Sequence, residues 1–174
     1  MSGLATAEIE AGRKTGKYLA FALGKEEYAL EILKVREIVG MLEISPVPRM
    51  PKFIRGVVNL RGRVIPVVDL RVKLGMPMAE QDPRTCIIVV DVGAAETGIV
   101  VDKVWEVLNI STDDVEEPSS LSASADAGFI LGLAKTGQRI TILLDIARIL
   151  GEADLVALGD LGGSTAAGKG QRFE

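Results

Sequence analysis

At 174 residues, with 48% apolar residues and a mean hydropathy of +0.29, the chain can bury enough surface to offset ordering entropy; this excludes a disordered chain and suits one ordinary domain or two very small ones sharing a core. With no histidine and one cysteine it lacks the commonest general acid/base, the usual zinc ligand and any internal disulfide. Its net charge of −4 is unevenly spread, with a net +5 over residues 41–73 and a net −8 over 91–126, and an acidic whole without an aromatic-studded basic groove argues against a nucleic-acid partner.

Opposed patches of this kind either steer a protein partner or lie on two solvated faces. Valine (18) and isoleucine (15) supply most of the large apolar side chains while aromatics make up 4%, which favours sheet over a helix bundle. Nothing near the N-terminus has the apolar core of a signal peptide and no apolar run approaches membrane-spanning length, so a cytosolic protein is expected.

Residues 1–16 are small, polar and without periodicity, and are expected to form a flexible arm. Tyr18–Leu23 then reads as a strand, Gly24–Glu27 as a turn and Tyr28–Ile32 as the returning strand, with Leu33–Val39 extended or briefly kinked. Pro46, Pro48 and Pro51 exclude regular helix from the stretch leading up to Phe53. Two β-branched runs then flank a break at Asn59–Gly62, where Asn can bond its own backbone and Gly can take a positive φ, so Phe53–Asp69 reads as a hairpin with Arg61 at its tip. Asp69 is placed to cap one or two helical turns over Leu70–Leu74, closed by Gly75. A connector at 79–84 leads to Thr85, where the pattern restarts, with Cys86 as a small buried hydrophobe in the apolar run Cys86–Val90.

Sliding the sequence against itself by 69 residues aligns Gly24 with Gly93, Lys34-Val35 with Lys103-Val104 and Glu37 with Glu106. A shift of 76 aligns Gly56, Arg63, Asp69, Leu74 and Gly75 with Gly132, Arg139, Asp145, Leu150 and Gly151, the difference being an insertion in the acidic loop around 110–128. Two similar halves, 17–78 and 85–151, therefore succeed one another. Each offers about five short strands, too few for an open sheet to stand alone, so two small barrels sharing a core are expected, with a weak C-terminal helix over 152–161 and a flexible tail over 162–174 beyond them.

Positions shared by the halves are explained by the fold, whereas positions where they part are free for function. Asp69 and Asp145 are shared and read as caps rather than as a catalytic carboxylate pair. The tip Asn59-Leu60-Arg61-Gly62 instead aligns with Lys135-Thr136-Gly137-Gln138, so its arginine is not required by the architecture. Arg36 likewise faces Trp105, which reads first as a packing residue and second as an interface residue. Gly132 to Gly137 has the spacing of a phosphate loop, but Gln138-Arg139 replaces the Lys-Ser/Thr that such a loop needs, and the segment reads as a hairpin. No nucleophile and base come together, so a hydrolase on a double barrel, the alternative from another class, is disfavoured and a binding surface remains.

Tyr18-Leu19-Ala20-Phe21 with Gly24–Tyr28, Leu33–Ile38, Gly56–Gly62 running into Ile65–Leu70, Gly98–Val104 and Gly128–Gly132 together resemble the CheW family of chemotaxis coupling proteins over residues 17–160. The resemblance implies an all-β fold of two tandem SH3-like five-stranded β-barrel subdomains with short helical turns. It implies a non-enzymatic adaptor without cofactor or metal, cytoplasmic and recruited to membrane-associated receptor arrays without inserting into the bilayer. Its partners would be the cytoplasmic tip of methyl-accepting chemoreceptors and the regulatory domain of the histidine kinase CheA. By match to the family, Val35, Glu37, Ile38, Gly56, Asn59, Arg61 and Gly62 would form a receptor-facing groove between the barrels, with Met41, Ile44, Leu121 and Phe129 as candidates for kinase contact. The same module occurs inside the kinase and in CheV, but this chain has no room for a kinase catalytic domain or a receiver, so a stand-alone adaptor fits. A CheW-like scaffold for a non-flagellar chemosensory pathway is the nearest alternative.

Overall fold

The computed structural model describes residues 15–93, 96–116 and 128–167. In chain order it contains β1 (Thr15–Leu23), β2 (Glu26–Glu31), a 3-10 turn (Ile32–Lys34), β3 (Val35–Gly40), β4 (Ile54–Leu60), β5 (Arg63–Asp69) and α1 (Leu70–Lys73). Next come β6 (Cys86–Asp91), β7 (Glu96–Val101), β8 (Lys103–Ser111), a second 3-10 turn (Thr112–Asp114), β9 (Val115–Glu116), β10 (Ile130–Thr136), β11 (Arg139–Leu144) and α2 (Ile146–Ala167). The elements divide into two units, one from Met1–Ile32 with Val104–Asp145 and one from Leu33–Lys103 with Ile146–Glu174.

In the first unit the strands run in the order β8-β1-β2-β11-β10-β9. β8 and β9 are two stretches of one strand bent at Thr112–Asp114, where the Ser111 hydroxyl accepts from the Asp113 N–H at 3.2 Å, so five strands close into a barrel. Its centre is narrow and filled by small side chains: Ala20, Ala29 and Ala134 pack with Ile110 and Leu143, flanked by Tyr18, Leu108 and Val115. Phe21 stacks on Tyr28 with ring centroids 6.1 Å apart.

In the second unit the order is β3-β6-β7-β5-β4. Past β3 the chain returns to the far edge, where Ser45 and Val57 exchange both backbone hydrogen bonds (2.8 and 2.9 Å) and close the second five-stranded barrel. Its core is larger: Val58, Leu60, Ile65, Val67, Ile87, Val89 and Val100, with Val39, Met41, Leu42 and Ile44 packed against it. Asp69 caps α1 as its position in the sequence implies, accepting from the Val72 N–H, and also takes the Arg55 guanidinium at 3.2 Å.

The repeat is visible in space, but the strands are not distributed as two contiguous halves divided between 78 and 85. The hairpin β1–β2 from the first half joins β8–β11 from the second, and β6–β7 from the second half joins β3–β5 from the first. The cause is one pairing made twice. β11 lies parallel to β2, with Leu143 opposite Ala29 and Leu144 opposite Leu30, and β5 lies parallel to β7, with Val67 opposite Gly98 and Val68 opposite Ile99. A parallel neighbour cannot be reached by a tight turn and must come from elsewhere in the chain. These registers are the same pairing under the shifts of 69 and 76. So are the bulges at Ile54/Gly56 and Ile130/Gly132, the bonds from Asp69 N–H to Phe53 O (2.7 Å) and from Asp145 N–H to Phe129 O (2.8 Å), and the ion pairs Arg63–Glu96 and Arg139–Glu27.

The C-terminal helix starts earlier and runs further than 152–161: α2 spans Ile146–Ala167, broken at Gly151 (φ 74, ψ 167). The repeat puts Gly151 at the end of a terminal turn; at its positive φ it instead redirects one helical segment into the next. Helix thus occupies the first part of the expected tail, while 168–174 and most of the N-terminal arm lie outside the described residues. The connector 79–84 holds no strand or helix, and Cys86 is half-buried rather than buried.

On β7 the Thr97 hydroxyl is fully buried and has no hydrogen-bond partner among the described residues. Valine has the same shape without the orphaned hydroxyl, so Thr97→Val is expected to stabilise by about 1 kcal/mol, a rise of about 2–4 °C in melting temperature by circular dichroism.

Candidate partner-binding surface

β4 and β5 pair from Ile54–Val68 to Leu60–Arg63, which leaves Arg61 and Gly62 as a two-residue turn. Their φ values of 54° and 87° are those of a type I′ turn, whose twist matches the strands and whose preferred sequence is Asn-Gly. Arginine in the left-handed region is unfavourable, and Arg61 shares a positive φ only with Arg49 among the described non-glycine residues. Asn59 stabilises the turn from one side: its Oδ1 accepts the Gly62 N–H at 2.7 Å.

The Arg61 guanidinium does not point away from the molecule as a free fork. Nη1 donates to Oε1 of Glu37 on β3 at 2.9 Å and Nη2 to Oε2 at 2.7 Å, a two-pronged pair that joins the hairpin tip to the edge strand. The arginine side chain is 65% exposed and the glutamate 27%. The hydrogen bonds from Arg61 hold the Glu37 carboxyl below the usual glutamate range and, reciprocally, raise the guanidinium.

Around this pair, Val35 is half-buried beside Glu37, whereas Ile38 points to the other side of β3 and is 44% exposed. Arg36 pairs with Asp91 at 2.6 Å, and the Asp91 carboxyl is lowered first by the Gly93 N–H and then by Arg36. Arg63 reaches Glu96 and Arg71 reaches Asp102 at 2.6 Å. The basic 41–73 and acidic 91–126 stretches therefore meet in part as ion pairs inside the second unit.

The seven residues assigned to receptor contact all lie in the second unit. Asn59, Arg61 and Gly62 form the tip, and Glu37 is brought to it. Gly56 is different. It is buried at φ 141, and a Cβ there would sit 2.1 Å from the Ser45 carbonyl oxygen, so its place is set by the crossing of the barrel-closing segment. Among the kinase candidates Met41 and Ile44 are half-buried against the second core, Phe129 is half-buried in the first unit, and Leu121 lies outside the described residues.

Trp105, read as packing, is 46% exposed on β8. The Arg139 guanidinium lies over its ring at 5.6 Å and is itself held by Glu27, which also accepts from the Thr141 hydroxyl at 2.6 Å. Trp105, Gln138, Arg139 and Ile140 with Ala22 and Gly24–Glu27 line an open cleft of about 450 Å³ within the first unit. An aromatic among β-branched residues looks like core, but the alternation of β8 turns Leu108 and Ile110 inward and leaves Trp105 and Val107 facing outward.

The family model of the CheW-like domain matches residues 17–154. The chain belongs to the CheW family. It is 36% identical to the chemotaxis protein CheW of Klebsiella aerogenes over 162 residues, covering 92% of this chain and 98% of that protein. The protein FrzA of Myxococcus xanthus is 32% identical over 140 residues, covering 79% of this chain and 87% of FrzA. The crystal structure of the scaffolding protein TtCheW from Thermoanaerobacter tengcongensis superposes with a TM-score of 0.72 at 32% identity, over 80% of this chain and 94% of that one. The two barrels are thus the SH3-like subdomains of a CheW scaffold, and the protein is a chemotaxis adaptor of this family. No helix among the described residues is long and apolar enough to cross a membrane.

Proposed function

We propose that this CheW-family scaffold couples the cytoplasmic tip of methyl-accepting chemoreceptors to the regulatory domain of the histidine kinase CheA, without chemistry of its own, at receptor arrays to which it is recruited from the cytoplasm. The observation that carries the reading is Arg61, held in an unfavourable backbone conformation at an exposed tip and aimed by a two-pronged pair to Glu37. Strain of this kind persists where a function uses it. Two guanidinium donors engage Glu37, and the others remain available to carboxylates or carbonyls of a receptor helix, with the half-buried Val35 on the Glu37 face of β3 supplying apolar contact.

Immobilised receptor signalling tip and purified CheA regulatory domain, offered separately and together, test the reading. The chain is expected to bind each alone and to bridge the two in one complex; binding to neither would refute the coupling role. The likeness to FrzA favours a second reading, the same scaffold in a non-flagellar chemosensory pathway, which predicts the bridge with receptors and kinase of that pathway instead.

A further inference from the structure

Arg49 and Arg61 are the two non-glycine residues of positive φ among those described, at 65° and 54°, one before β4 and one after it. Pro48 and Arg49 form the centre of a turn. Proline followed by a residue of positive φ is the pattern of a type II turn, whose second central position calls for glycine or asparagine, so the backbone disfavours the arginine that stands there. Arg61 closes its fork on Glu37, whereas Arg49 is exposed and makes no hydrogen bond or ion pair among the described residues. Lys52, three residues on, is likewise exposed and unpaired among them. The start of β4 lies beside the end of β5, and the neighbouring cations there are already met: Arg55 by Asp69 at 3.2 Å, and Lys73 by Asp154 at 2.6 Å and by the Phe53 ring at 4.3 Å. The positive charge left open beside them is that of Arg49 and Lys52. It is carried on a stiff loop, in which Pro46, Pro48 and Pro51 fix φ, Ser45 is bonded to Val57, and the Ile54 N–H donates to the Pro51 carbonyl at 3.0 Å.

We propose that the loop from Pro46 to Lys52 is a docking element for an acidic protein segment, with one carboxylate on the Arg49 fork and a second at Lys52. The number of charges selects this occupant. Two cations fall well short of the roughly four to eight that mark attachment to an anionic lipid surface. They also fall short of the basic stripe that a nucleic acid needs, and the chain's net charge of −4 repels one. A carboxylate needs only a planar fork held in place, and a loop stiffened by three prolines has little freedom left to lose on binding. The seven residues of β4 span about 23 Å between this loop and the Arg61 tip, so the two can hold different segments. The element does not depend on the receptor and kinase assignment above.

The isotope-labelled full chain is titrated with the capped peptides Leu-Glu-Glu-Leu and Leu-Gln-Gln-Leu while its amide resonances are followed by NMR. The glutamate peptide is expected to move the amides of Val47, Arg49, Met50 and Lys52 and to bind about tenfold more tightly than the glutamine peptide. Arg49→Asn suits the turn, so it should fold and melt no lower than wild type while losing about tenfold in affinity for the glutamate peptide. Arg49→Lys, which keeps the charge without the fork, should fall between the two. Shifts centred on Arg61 and Gly62 instead, equal affinity for both peptides, or unchanged affinity in Arg49→Asn would overturn the proposal. Co-sedimentation with phosphatidylserine vesicles that disappears in Arg49→Asn would overturn it too, because the occupant would then be lipid. A chain that ignores both peptides yet bridges receptor and kinase would remove this element and leave the adaptor reading intact.

Discussion

Arg61→Asn is expected to raise the melting temperature by about 2–4 °C while weakening binding to the receptor signalling tip on the order of thirtyfold. The two effects share one cause. At φ 54 the tip asks for a residue at ease in the left-handed region, and Asn before Gly62 makes the preferred pair for a type I′ turn, so asparagine relieves backbone strain that arginine sustains. Against this stands the loss of the pair with Glu37, whose arginine end is 65% exposed, so that solvent screening discounts its contribution to stability. Binding has no such compensation, because asparagine reaches neither Glu37 nor a receptor carboxylate with a planar fork. The exchanged double variant Glu37→Arg/Arg61→Glu separates the roles of the pair. It restores the charges in reverse, so wild-type melting with binding still lost means that the receptor reads the guanidinium at the tip. Recovered binding would mean that the pair is only a latch for the hairpin.

The local devices of the fold are legible in the chain because each rests on a few neighbouring residues. Asn59 and Gly62 mark the turn, Asp69 marks the cap of α1, and the repeat is carried by glycines and charges at fixed spacing. The interleaving of the halves is not legible, because β2 and β7 are the same strand in the repeat. The sequence of β5 is equally satisfied by either as its parallel neighbour. What decides is a choice between non-local partners, which shows in space as Arg63 reaching Glu96 and Arg139 reaching Glu27. Gly151 misleads for a related reason: a positive-φ glycine ends a helix or turns one segment into another, and only the packing of the residues beyond it decides between the two.

At the candidate site the tip can be read and its engagement cannot. Arg61 stands out because the aligned position in the other half is Gly137, but nothing in the spacing of 24 residues says that its fork closes on Glu37. Trp105 reads as core because residue type predicts burial better than it predicts which face of an edge strand turns outward.

Gly56 gives the largest expected effect on stability. Gly56→Ala is expected to cost about 3 kcal/mol, a fall of roughly 6–12 °C in melting temperature, because two penalties coincide. A φ of 141° is strained for any residue with a Cβ, and the added carbon meets backbone, the Ser45 carbonyl oxygen at 2.1 Å, which cannot move without opening the Ser45–Val57 closure. The repeat supplies the control. At Gly132 a Cβ would meet the Val115 side chain at 2.4 Å and the Glu116 carbonyl oxygen at 2.9 Å, but the backbone φ is not positive and the backbone contact is less severe, so Gly132→Ala should cost less. Urea unfolding of both variants, combined with receptor binding well below the melting temperature, then decides what Gly56 is for. If Gly56→Ala is destabilised but its folded fraction binds receptor like wild type, the glycine serves the crossing beneath the hairpin. If it melts like wild type and fails to bind, the glycine belongs to the interface, and the close approach of Ser45 is incidental to it.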